Sequence, residues 1–421
     1  MRQNRARTHD DRFSNPRKRI EQQLMLLDNH SRDINHAARI DCPDRRPLRI
    51  MTCIHSFGPG GVERVALRLN CAWRAMGAEV RVIVGRGGGA AGVAGTEDSL
   101  CHIIPRGERI TRRTQLGWML RWLPAIIRRE RPDILFCPGN TYSSVAVGMK
   151  IALGAACPPI ICKISNDLTR ADMGPLLRLG YYRWLAIQGR YIDQFVAMAP
   201  AMVDEIAERT RTDPLRIATV NDPILQEAEL NRLAALTRAP GDGRRFIAIG
   251  RLMPQKNFSL LLRAFARIAS PQDRLTILGE GPERQMLEEL SAAIGVAGQV
   301  AMPGHVDNLE PWLAQADVMV MSSDYEGVPA VLIEAIAARL PVVTTRCSAS
   351  MDDLLANGLF GTLVTVGDEA SLARAMQHSP APPAPAAAHA HARQFTVEQG
   401  AADYLALMAT MVAAHTSPDM R

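Results

Sequence analysis

Residues 322–336 have the sequence SSDYEGVPAVLIEAI, and they follow a short apolar run from Asp317 to Met321. The apolar run predicts a buried strand of a parallel sheet. Small and polar residues come next, and the segment from Ala330 to Arg339 predicts a helix that stops before Pro341. The segment therefore predicts a strand, a loop and a helix in succession, which is the repeating unit of an α/β fold.

Two glutamates mark this segment. Glu326 falls in the predicted loop, and Glu334 falls inside the helix eight residues later. A helix N-terminus presents free N–H groups and a positive dipole end, which suits an anion such as a diphosphate. Because like charges repel, we expect Glu326 to serve hydroxyl groups or a developing cation. The alternative is a core strand with two solvated glutamates, since this spacing also recurs by chance.

Length and composition bound the class of protein. A chain of 421 residues, 47% of them apolar, predicts two or more domains with large cores. No window approaches 18 uninterrupted apolar residues, and the N-terminus lacks an apolar signal region, so we expect neither a transmembrane helix nor a secretory signal. Eight cysteines without a C-x-x-C pair predict reduced, buried thiols in a cytosolic protein.

Residues 1–47 differ from the rest of the chain. They hold eleven Lys and Arg against seven Asp and Glu, which is a surplus of four in a net charge of +6. This composition predicts a flexible basic tail. The tail either contacts acidic lipid or nucleic acid, or precedes a true start at Met25 or Met51. Phe13 is its only aromatic residue, so we expect no nucleic-acid partner.

A glycine-rich loop follows the first predicted strand, Leu48 to Ile54. Glycines let backbone N–H groups approach a phosphate, so Gly60 and Gly61 are candidate contacts, with a plain tight turn as the alternative. A second cluster, Gly87 to Gly92, formally matches G-x-G-x-x-G. No apolar helix follows that cluster, so it predicts a loop, and a nicotinamide enzyme becomes the lesser option.

Polar residues follow two further predicted strands, Asp133 to Cys137 and Pro159 to Ile164. Asn140 comes after the first of these strands, and Asn166 and Asp167 come after the second. Loops at the carboxyl ends of strands are where α/β sheets build their sites. These three residues are therefore the candidates for contact with a sugar or an acceptor.

Two helices carry both apolar and basic residues. Thr111 to Glu130 predicts an amphipathic helix, and the main interpretation is that its apolar stripe faces the core. The alternative is a surface helix on anionic lipid, with Trp118 and Trp122 at the headgroups. The segment from Gly174 to Arg190 offers a second such surface.

A glycine turn with two cations follows the strand Phe246 to Ile249. Gly250 and Arg251 begin this turn, and Lys256 closes it before a helix from Phe258 to Ala269. Arginine offers a planar fork of donors and lysine a point charge, so the pair predicts a clamp for a diphosphate. The alternative is two solvated cations.

Three motifs together resemble one known family. S-x-x-E-G-x-P-x-x-x-x-E-A at 323–335, G-R-L-x-x-x-K-N at 250–257 and G-G-x-E-R at 60–64 are similar to the signature of retaining GT-B glycosyltransferases, specifically the family 4 (group 1) type. The likeness covers about 370 residues and is densest from Ile247 to Val366.

The resemblance implies roles for the residues of these motifs. Arg251 and Lys256 would neutralise the leaving nucleotide diphosphate, Glu326 would hydrogen-bond the donor sugar and steady its oxocarbenium character, and Glu334 would hold the ribose hydroxyls. The catalytic residues would thus be Glu326, Arg251 and Lys256. The other implied donor contacts are Gly60, Gly61, Gly250, His305, Val306, Gly327, Val328 and Pro329.

The alternation of strands and helices, repeated twice, predicts two doubly wound, Rossmann-like domains facing a cleft, which the resemblance identifies as GT-B. The expected domains span residues 48–225 and 226–378. A Pro/Ala/His-rich segment, 379–394, predicts an extended connector. The resemblance implies that the final helix, 395–414, returns to the first domain.

The implied reaction moves a hexose-type unit from a nucleotide-sugar, such as a UDP- or GDP-sugar, to an acceptor hydroxyl with retained configuration. No Asp-x-Asp pair occurs, so we expect no metal and no other cofactor. The expected acceptor is a glycan or a lipid-linked glycan of a bacterial surface polysaccharide, such as lipopolysaccharide. The expected location is the cytoplasm, with peripheral contact at the inner face of the plasma membrane.

Two other functions stay open, and one departure from the family pattern is a hint of the second. Many relatives carry a histidine at a loop where this chain has Asn140 or Asn166, so a histidine-based step is in doubt. The first alternative is a sugar phosphorylase or epimerase on the same fold. The second is a catalytically inactive GT-B partner protein, which the intact Arg251, Lys256 and Glu326 argue against.

Overall fold

The computed structural model describes residues 46–56, 61–86, 101–103, 114–165, 168–169 and 173–416. Within these ranges the chain forms two β-sheets, and the pairs of neighbouring strands run parallel. Helices connect most successive strands. The predicted α/β architecture is therefore confirmed.

The first sheet has seven strands. They are β1 (Arg49–Ser56), β2 (Glu79–Arg86), β3 (Cys101–Ile103), β4 (Ile134–Cys137), β5 (Ile160–Lys163), β6 (Gln194–Ala197) and β7 (Ile217–Thr219). Their order is β3-β2-β1-β4-β5-β6-β7. Ile50 of β1 lies between Val80 of β2 and Ile134 of β4. The strand order thus reverses between β1 and β4, which is where ligands bind in open α/β sheets.

The helices of this part of the chain follow its strands. They are α1 (Gly61–Ala75), α2 (Gln115–Glu130), α3 (Ser143–Leu153), α4 (Pro175–Tyr191) and α5 (Val203–Thr210). On α2, Met119, Leu123 and Ile127 are buried, whereas the Trp122 side chain is 42% exposed. The apolar stripe of α2 thus faces the core, as the main interpretation predicts.

The second sheet has six strands. They are β8 (Arg245–Ile249), β9 (Arg274–Leu278), β10 (Val300–Gly304), β11 (Val318–Met321), β12 (Val342–Thr345) and β13 (Gly361–Val364). Their order is β10-β9-β8-β11-β12-β13. Side chains alternate between two apolar cores: Phe246 and Val318 pack into one, and Ile247 and Met319 into the other. The period of two is that of a strand buried on both faces.

Nine helices lie between residues 227 and 416 in the part of the chain that the structure describes. They are α6 (Glu227–Ala234), α7 (Phe258–Ile268), α8 (Arg284–Ala293), α9 (Glu310–Gln315), α10 (Ala330–Ala337), α11 (Met351–Leu354), α12 (Glu369–Gln377), α13 (Pro385–Arg393) and α14 (Val397–Thr416). The helix α10 is the one predicted from the opening segment.

The prediction of an extended connector over residues 379–394 is wrong for its second half, which forms α13. Pro385 occupies the first turn, where a missing N–H leaves no hydrogen bond unmade. Five of the eight residues that follow are alanine, the residue with the highest helix propensity. Ala388 and Ala392 are buried, so packing also stabilises this helix.

The described residues fall into two compact units. One lies within Met1–Cys162, Tyr191–Asp193 and Leu405–Arg421, and the other within Lys163–Arg190 and Gln194–Tyr404. The domain boundary expected at residue 225 stays a prediction. Across the described ranges, no helix has the length and apolar character that crossing a bilayer requires.

Several predicted features lie outside the described residues. They are Gly60, the loop from Gly87 to Gly92, Asn166, Asp167, and residues 1–45 of the predicted basic tail.

Candidate active site

The loops that follow β8 and β11 lie side by side, because these strands are neighbours in the second sheet. The Asp324 N–H donates to the carbonyl oxygen of Gln255 at 2.9 Å. The Gln255 side-chain amide donates to the carbonyl oxygen of Tyr325 at 2.8 Å. Loop 250–257 and loop 322–329, which carry two separate sequence motifs, therefore meet at one edge of the sheet.

Lys256 and Glu326 form an ion pair where the two loops meet. The distance from Nζ to Oε1 is 2.5 Å, and the side chains are 17% and 11% exposed. The Ser322 hydroxyl donates to the Lys256 carbonyl oxygen at 2.9 Å, which ties Lys256 to the end of β11. The ammonium compensates the carboxylate, so Glu326 is tolerated beside a candidate anion site. An ammonium has three N–H donors, and the pair uses one of them.

Two glycines allow the turns after β8 and β9 to touch. A Cβ on Gly279 would lie 1.8 Å from the Gly250 carbonyl oxygen, and the φ of Gly279 is +146°. A Cβ on Gly250 would lie 3.0 Å from Cε of Lys256. Gly279 has no room for a side chain and has a positive φ, so glycine is needed there. A Cβ on Gly250 would require the Lys256 side chain to shift by a few tenths of an ångström.

An asparagine starts α7 directly after Lys256. Asn257 has φ 45° and ψ 46°, the left-handed conformation that asparagine tolerates better than most residues. Its Oδ1 accepts from the Leu260 N–H at 3.2 Å, and its Nδ2 donates to Asp324 Oδ1 at 2.8 Å. Asn257 therefore caps the helix and joins it to the neighbouring loop.

The turn at Glu326 is held by a segment that sequence analysis did not single out. The Glu326 N–H donates to the Cys347 carbonyl oxygen at 3.2 Å. The hydroxyls of Ser348 and Ser350 lie 3.0 and 2.9 Å from the Gly327 carbonyl oxygen. Both serines are buried. Two serines in a loop carry no distinctive signal, so no sequence pattern would have revealed this support.

Cys347 sits against the Glu326 turn as an uncharged side chain. Burial, together with the negative charge of Glu326, raises the pKa of the Cys347 thiol to about 12. The thiolate is the nucleophilic form of cysteine, so Cys347 is not a nucleophile at neutral pH.

Arg251, the other predicted clamp residue, is exposed. Its guanidinium makes no hydrogen bond or ion pair with any residue that the structure describes. Its planar fork of donors is therefore available to a ligand. Gly250 precedes it, and Lys256 lies five positions later in the same loop, so the two predicted clamp residues share one loop.

The start of α10 offers backbone donors to the same region. Pro329 is the N-cap residue, and the first turn of α10 contains no acidic side chain. The first N–H groups of a helix have no partner within it, and the positive dipole end lies there. Gly327 and Val328 precede this helix end, and Glu334 is half-buried on α10.

Two implied donor contacts, His305 and Val306, lie in the loop after β10, where the resemblance implies that backbone atoms hold the nucleotide base. His305 is 70% exposed, and its Nε2 lies 3.5 Å from Oδ1 of Asp307. Val306 is half-buried. Contact of either residue with a nucleotide base stays a prediction. Within the described residues no group of three or more His, Cys, Asp or Glu side chains is arranged to hold a metal ion.

The first sheet brings together one pair that sequence analysis did not name as site residues. Asn140 begins a 3-10 turn after β4, and Gly61 begins α1 after β1. Between these points the Tyr142 hydroxyl donates to Glu63 Oε1 at 2.5 Å. The G-G-x-E-R motif was the available signal for Glu63, whereas Tyr142 follows an ordinary strand end and had none.

Two family models match the chain. "Glycosyltransferase Family 4" matches residues 59–224, and "Glycosyl transferases group 1" matches residues 243–379. The first match begins after β1 and contains β2 to β7, and the second contains all of β8 to β13.

Three of the curated relatives are bacterial glycosyltransferases. The lipopolysaccharide core biosynthesis glycosyltransferase LpsE of Rhizobium meliloti is 31% identical over 254 residues, which is 59% of this chain and 66% of that protein. LpsD of the same organism is 27% identical over 77% of this chain and 86% of that protein. A Campylobacter jejuni N-acetylgalactosaminyltransferase acting on a diphospho-undecaprenol is 32% identical over 31% of this chain, and the match spans 36% of its own length.

Solved structures share the fold. The apo lipopolysaccharide outer core galactosyltransferase WaaB superposes with a TM-score of 0.66 at 16% identity, covering 85% of this chain and 97% of that one. Anabaena HepE in complex with UDP and glucose gives 0.65 at 16% identity, covering 85% and 99%. Two models of this family match the chain, and the solved structures that share its fold are GT-B glycosyltransferases. The chain therefore belongs to the group 1, family 4 glycosyltransferases.

Proposed function

We propose that the protein transfers a sugar from a nucleotide-sugar to an acceptor hydroxyl and retains the configuration at the anomeric carbon. The observation that carries this proposal is the Lys256–Glu326 ion pair at the strand ends of the second sheet, next to the uncommitted Arg251. A cation paired with a carboxylate suits a ligand in which a diphosphate and a sugar adjoin.

The diphosphate is the first group that the site would serve. When the bond between the anomeric carbon and the phosphate oxygen breaks, both electrons stay on the leaving diphosphate. Lys256 has N–H donors beyond its bond to Glu326, Arg251 has a full fork, and the start of α10 presents backbone N–H groups. Donors that are already in place where charge develops stabilise the transition state most.

Glu326 would act on the sugar. Its position beside Lys256 and its support from Cys347 and Ser348 hold the carboxylate in one direction. A fixed carboxylate accepts hydrogen bonds from donor-sugar hydroxyls and stabilises positive charge at the anomeric carbon. The acceptor oxygen forms the new bond on the same face, and its proton passes to the leaving phosphate oxygen. Glu334 would hold the ribose hydroxyls.

Calorimetry of the full chain against UDP-, GDP- and ADP-sugars tests this assignment. We expect one donor to bind without added metal, and UDP is the first choice because HepE, a structural neighbour, is solved with UDP-glucose. Arg251→Ala should weaken that binding by about tenfold or more, since it removes a charge-assisted contact. If no nucleotide-sugar binds, the catalytic proposal is wrong and an inactive partner protein becomes the better account.

The acceptor is proposed to be a lipid-linked or lipopolysaccharide glycan. LpsE and LpsD are both described as lipopolysaccharide core glycosyltransferases, and they are the relatives with the widest coverage quoted above. Such acceptors are held at a membrane. A protein that uses them is therefore expected in the cytoplasm, in contact with the inner face of the plasma membrane.

The helix α4 has the surface that such contact requires. Leu176 and Leu177 are 88% and 67% exposed, and Ile187 is 44% exposed. The helix contains three arginines and no acidic residue. Exposed apolar side chains among cations are typical of a helix that rests on anionic lipid.

Sedimentation with phosphatidylglycerol vesicles tests this surface. We expect the full chain to bind these vesicles more strongly than phosphatidylcholine vesicles, and a Leu176→Ser, Leu177→Ser double variant to lose most of this binding. Ile151→Ser is the matched control, because Ile151 is 62% exposed on a different helix, α3. Equal sedimentation of the double variant and the wild type would contradict the membrane assignment.

A further inference from the structure

Three arginines lie close together at the amino edge of the second sheet, the edge opposite the loops of the candidate active site. Arg245 is the first residue of β8, Arg339 lies just after the end of α10, and Arg238 lies between α6 and β8. We call these three residues the arginine cluster. The strand β8 has five residues and therefore spans about 15 Å, so the cluster lies well away from Lys256 at the other edge.

Two members of the arginine cluster bind the backbone of each other's segments. Nη2 of Arg238 donates to the carbonyl oxygen of Ala338, at the end of α10, and Nη2 of Arg339 donates to the carbonyl oxygen of Leu236. One interpretation is that both arginines serve only to join these two segments. That role uses one N–H donor of each guanidinium, which has five.

The positive charge of Arg238 and Arg339 is not compensated by the described residues. Neither arginine forms an ion pair there, and the Nε of each is buried without a hydrogen-bond partner. Asp317 is near Arg238, but both of its carboxylate oxygens bind Arg245, at 2.7 and 3.0 Å. Burial and the charge of Arg339 lower the pKa of Arg238. The fold thus holds two half-buried guanidiniums together without a counter-charge.

The unused donors of these two arginines indicate which ligand they fit. Nη1 of Arg238 and Nη1 of Arg339 make no hydrogen bond with a described residue, and both side chains are partly exposed. A guanidinium presents a planar fork of donors that matches the oxygens of a phosphate. A charge removed from water without a partner is costly, and an oxyanion bound to both forks would offset that cost and the repulsion between them.

We propose that Arg238 and Arg339 form a binding site for a soluble phosphate group, either inorganic phosphate or the phosphate of a small ester. Arg245 would remain with Asp317 and support the loop that carries Arg238, since it also donates to the Ala239 carbonyl oxygen at 2.9 Å. A phosphate bound here would stabilise the second sheet from its amino edge. The inference goes beyond the proposed function and does not depend on it.

Thermal denaturation of the full chain in sodium phosphate, compared with sodium chloride at equal ionic strength, tests the site. Phosphate stabilises proteins generally because it is excluded from their surface, so the informative quantity is the part of the shift that a variant loses. We expect the rise in Tm to be about 2–4 °C smaller in Arg238→Gln and in Arg339→Gln than in the wild type. Arg238→Lys, which keeps the charge without the fork, should lose less of the shift.

Methyl phosphate, the smallest phosphate ester, is measured beside inorganic phosphate to distinguish the two sources of the group. A Tm shift that depends on Arg238 with inorganic phosphate alone assigns the site to the free anion. The same dependence with methyl phosphate assigns it to an esterified phosphate. Either result supports the site, and dependence with neither anion contradicts it.

Two control variants locate the effect. Arg232→Gln removes a nearby arginine of α6 that is 53% exposed and pairs with Glu310 at 2.7 Å, and it should keep the full shift. Arg251→Ala separates the arginine cluster from the candidate donor site, where phosphate can also bind. The part of the shift that Arg238→Gln loses should persist in Arg251→Ala.

Two results would overturn the proposal. The first is an equal rise in Tm in the wild type, Arg238→Gln and Arg339→Gln, since the phosphate would then act on the surface in general. The second is a shift that only Arg251→Ala loses, since the phosphate would then bind the donor site alone. If one glutamine variant does not fold, the other glutamine variant and Arg238→Lys give the same comparison.

Discussion

Lys256 and Glu326 depend on each other for charge compensation, because both side chains are mostly buried. Glu326→Gln leaves the ammonium without its partner, and removing one member of a buried pair typically costs about 3–5 kcal/mol. We expect the free energy of unfolding, measured by urea denaturation, to fall by an amount in this range.

The matched control for this variant is Glu288→Gln. Glu288 pairs with Arg284 at 3.1 Å but is 54% exposed, and exposed pairs contribute about 0–1 kcal/mol. If the two substitutions lower the free energy of unfolding equally, the Lys256–Glu326 pair is not a buried pair in solution.

His391 makes the stability of the second unit depend on pH. Its ring lies 4.7 and 5.4 Å from the rings of Phe360 and Phe395, and its Nε2 is 2.9 Å from the Leu354 carbonyl oxygen. Burial lowers the pKa of His391 below its ordinary value. The unfolded chain therefore binds a proton more readily than the folded chain does.

The sign of this dependence follows from the lowered pKa. The contribution of neutral His391 is present above about pH 6.5, the pKa of an unfolded histidine, and is lost as pH falls through the folded pKa. We expect the unfolding free energy of the wild type to fall relative to that of His391→Leu when the pH is lowered from 7.5 to 5, because leucine does not titrate. A constant difference in urea denaturation across this range would contradict the assignment.

The sequence predicted which residues would lie at the site better than it predicted which residues they would contact. Arg251, Lys256 and Glu326 stand in recognisable motifs, and the structure brings all three to adjoining loops. Their pairing was not predicted, because Lys256 and Glu326 are 70 positions apart. It depends on β11 crossing over to lie beside β8, which periodicity does not reveal.

The start of helix α7 depends on a single residue, Asn257. Asn257 provides both a left-handed backbone and a side-chain cap. Asn257→Gly keeps the backbone conformation and loses the cap, whereas Asn257→Ala loses the cap and adds strain of about 1 kcal/mol. We expect thermal denaturation to rank stability as wild type, then Gly, then Ala. A glycine variant less stable than the alanine variant would show that the left-handed backbone is not required.

Elements with a strong pattern were predictable, and short or unusual ones were not. The apolar strands and α10 lie within two residues of their predicted bounds. The four-residue helix α11 and the three-residue strand β3 are too short for a periodic signal. The helix α13 was missed because the prolines before it and at its first position suggested an extended chain, although its alanines favour a helix.

For the molecule as a whole, the charge needed by a diphosphate is expected to come from the protein. Arg251 has no charged partner within the described residues, Lys256 keeps N–H donors beyond its bond to Glu326, and the start of α10 adds backbone N–H groups. We expect turnover of the donor identified by calorimetry to be unchanged after treatment with EDTA. Activity that EDTA abolishes and magnesium restores would contradict this expectation. The turnover of Lys256→Met is measured in parallel, and we expect it to be lost with or without magnesium.

The contact between Gly250 and Gly279 bears on the design of chimeras within this family. An exchange of the loop 250–257 alone would place a foreign turn against Gly279, where a Cβ would lie 1.8 Å from the Gly250 carbonyl oxygen. Crossover points chosen before β8 and after the turn that follows β9 would move both turns as one cassette. Both turns would then come from the same protein and would keep their packing against each other. A change of donor preference could be tested without a packing defect at the site.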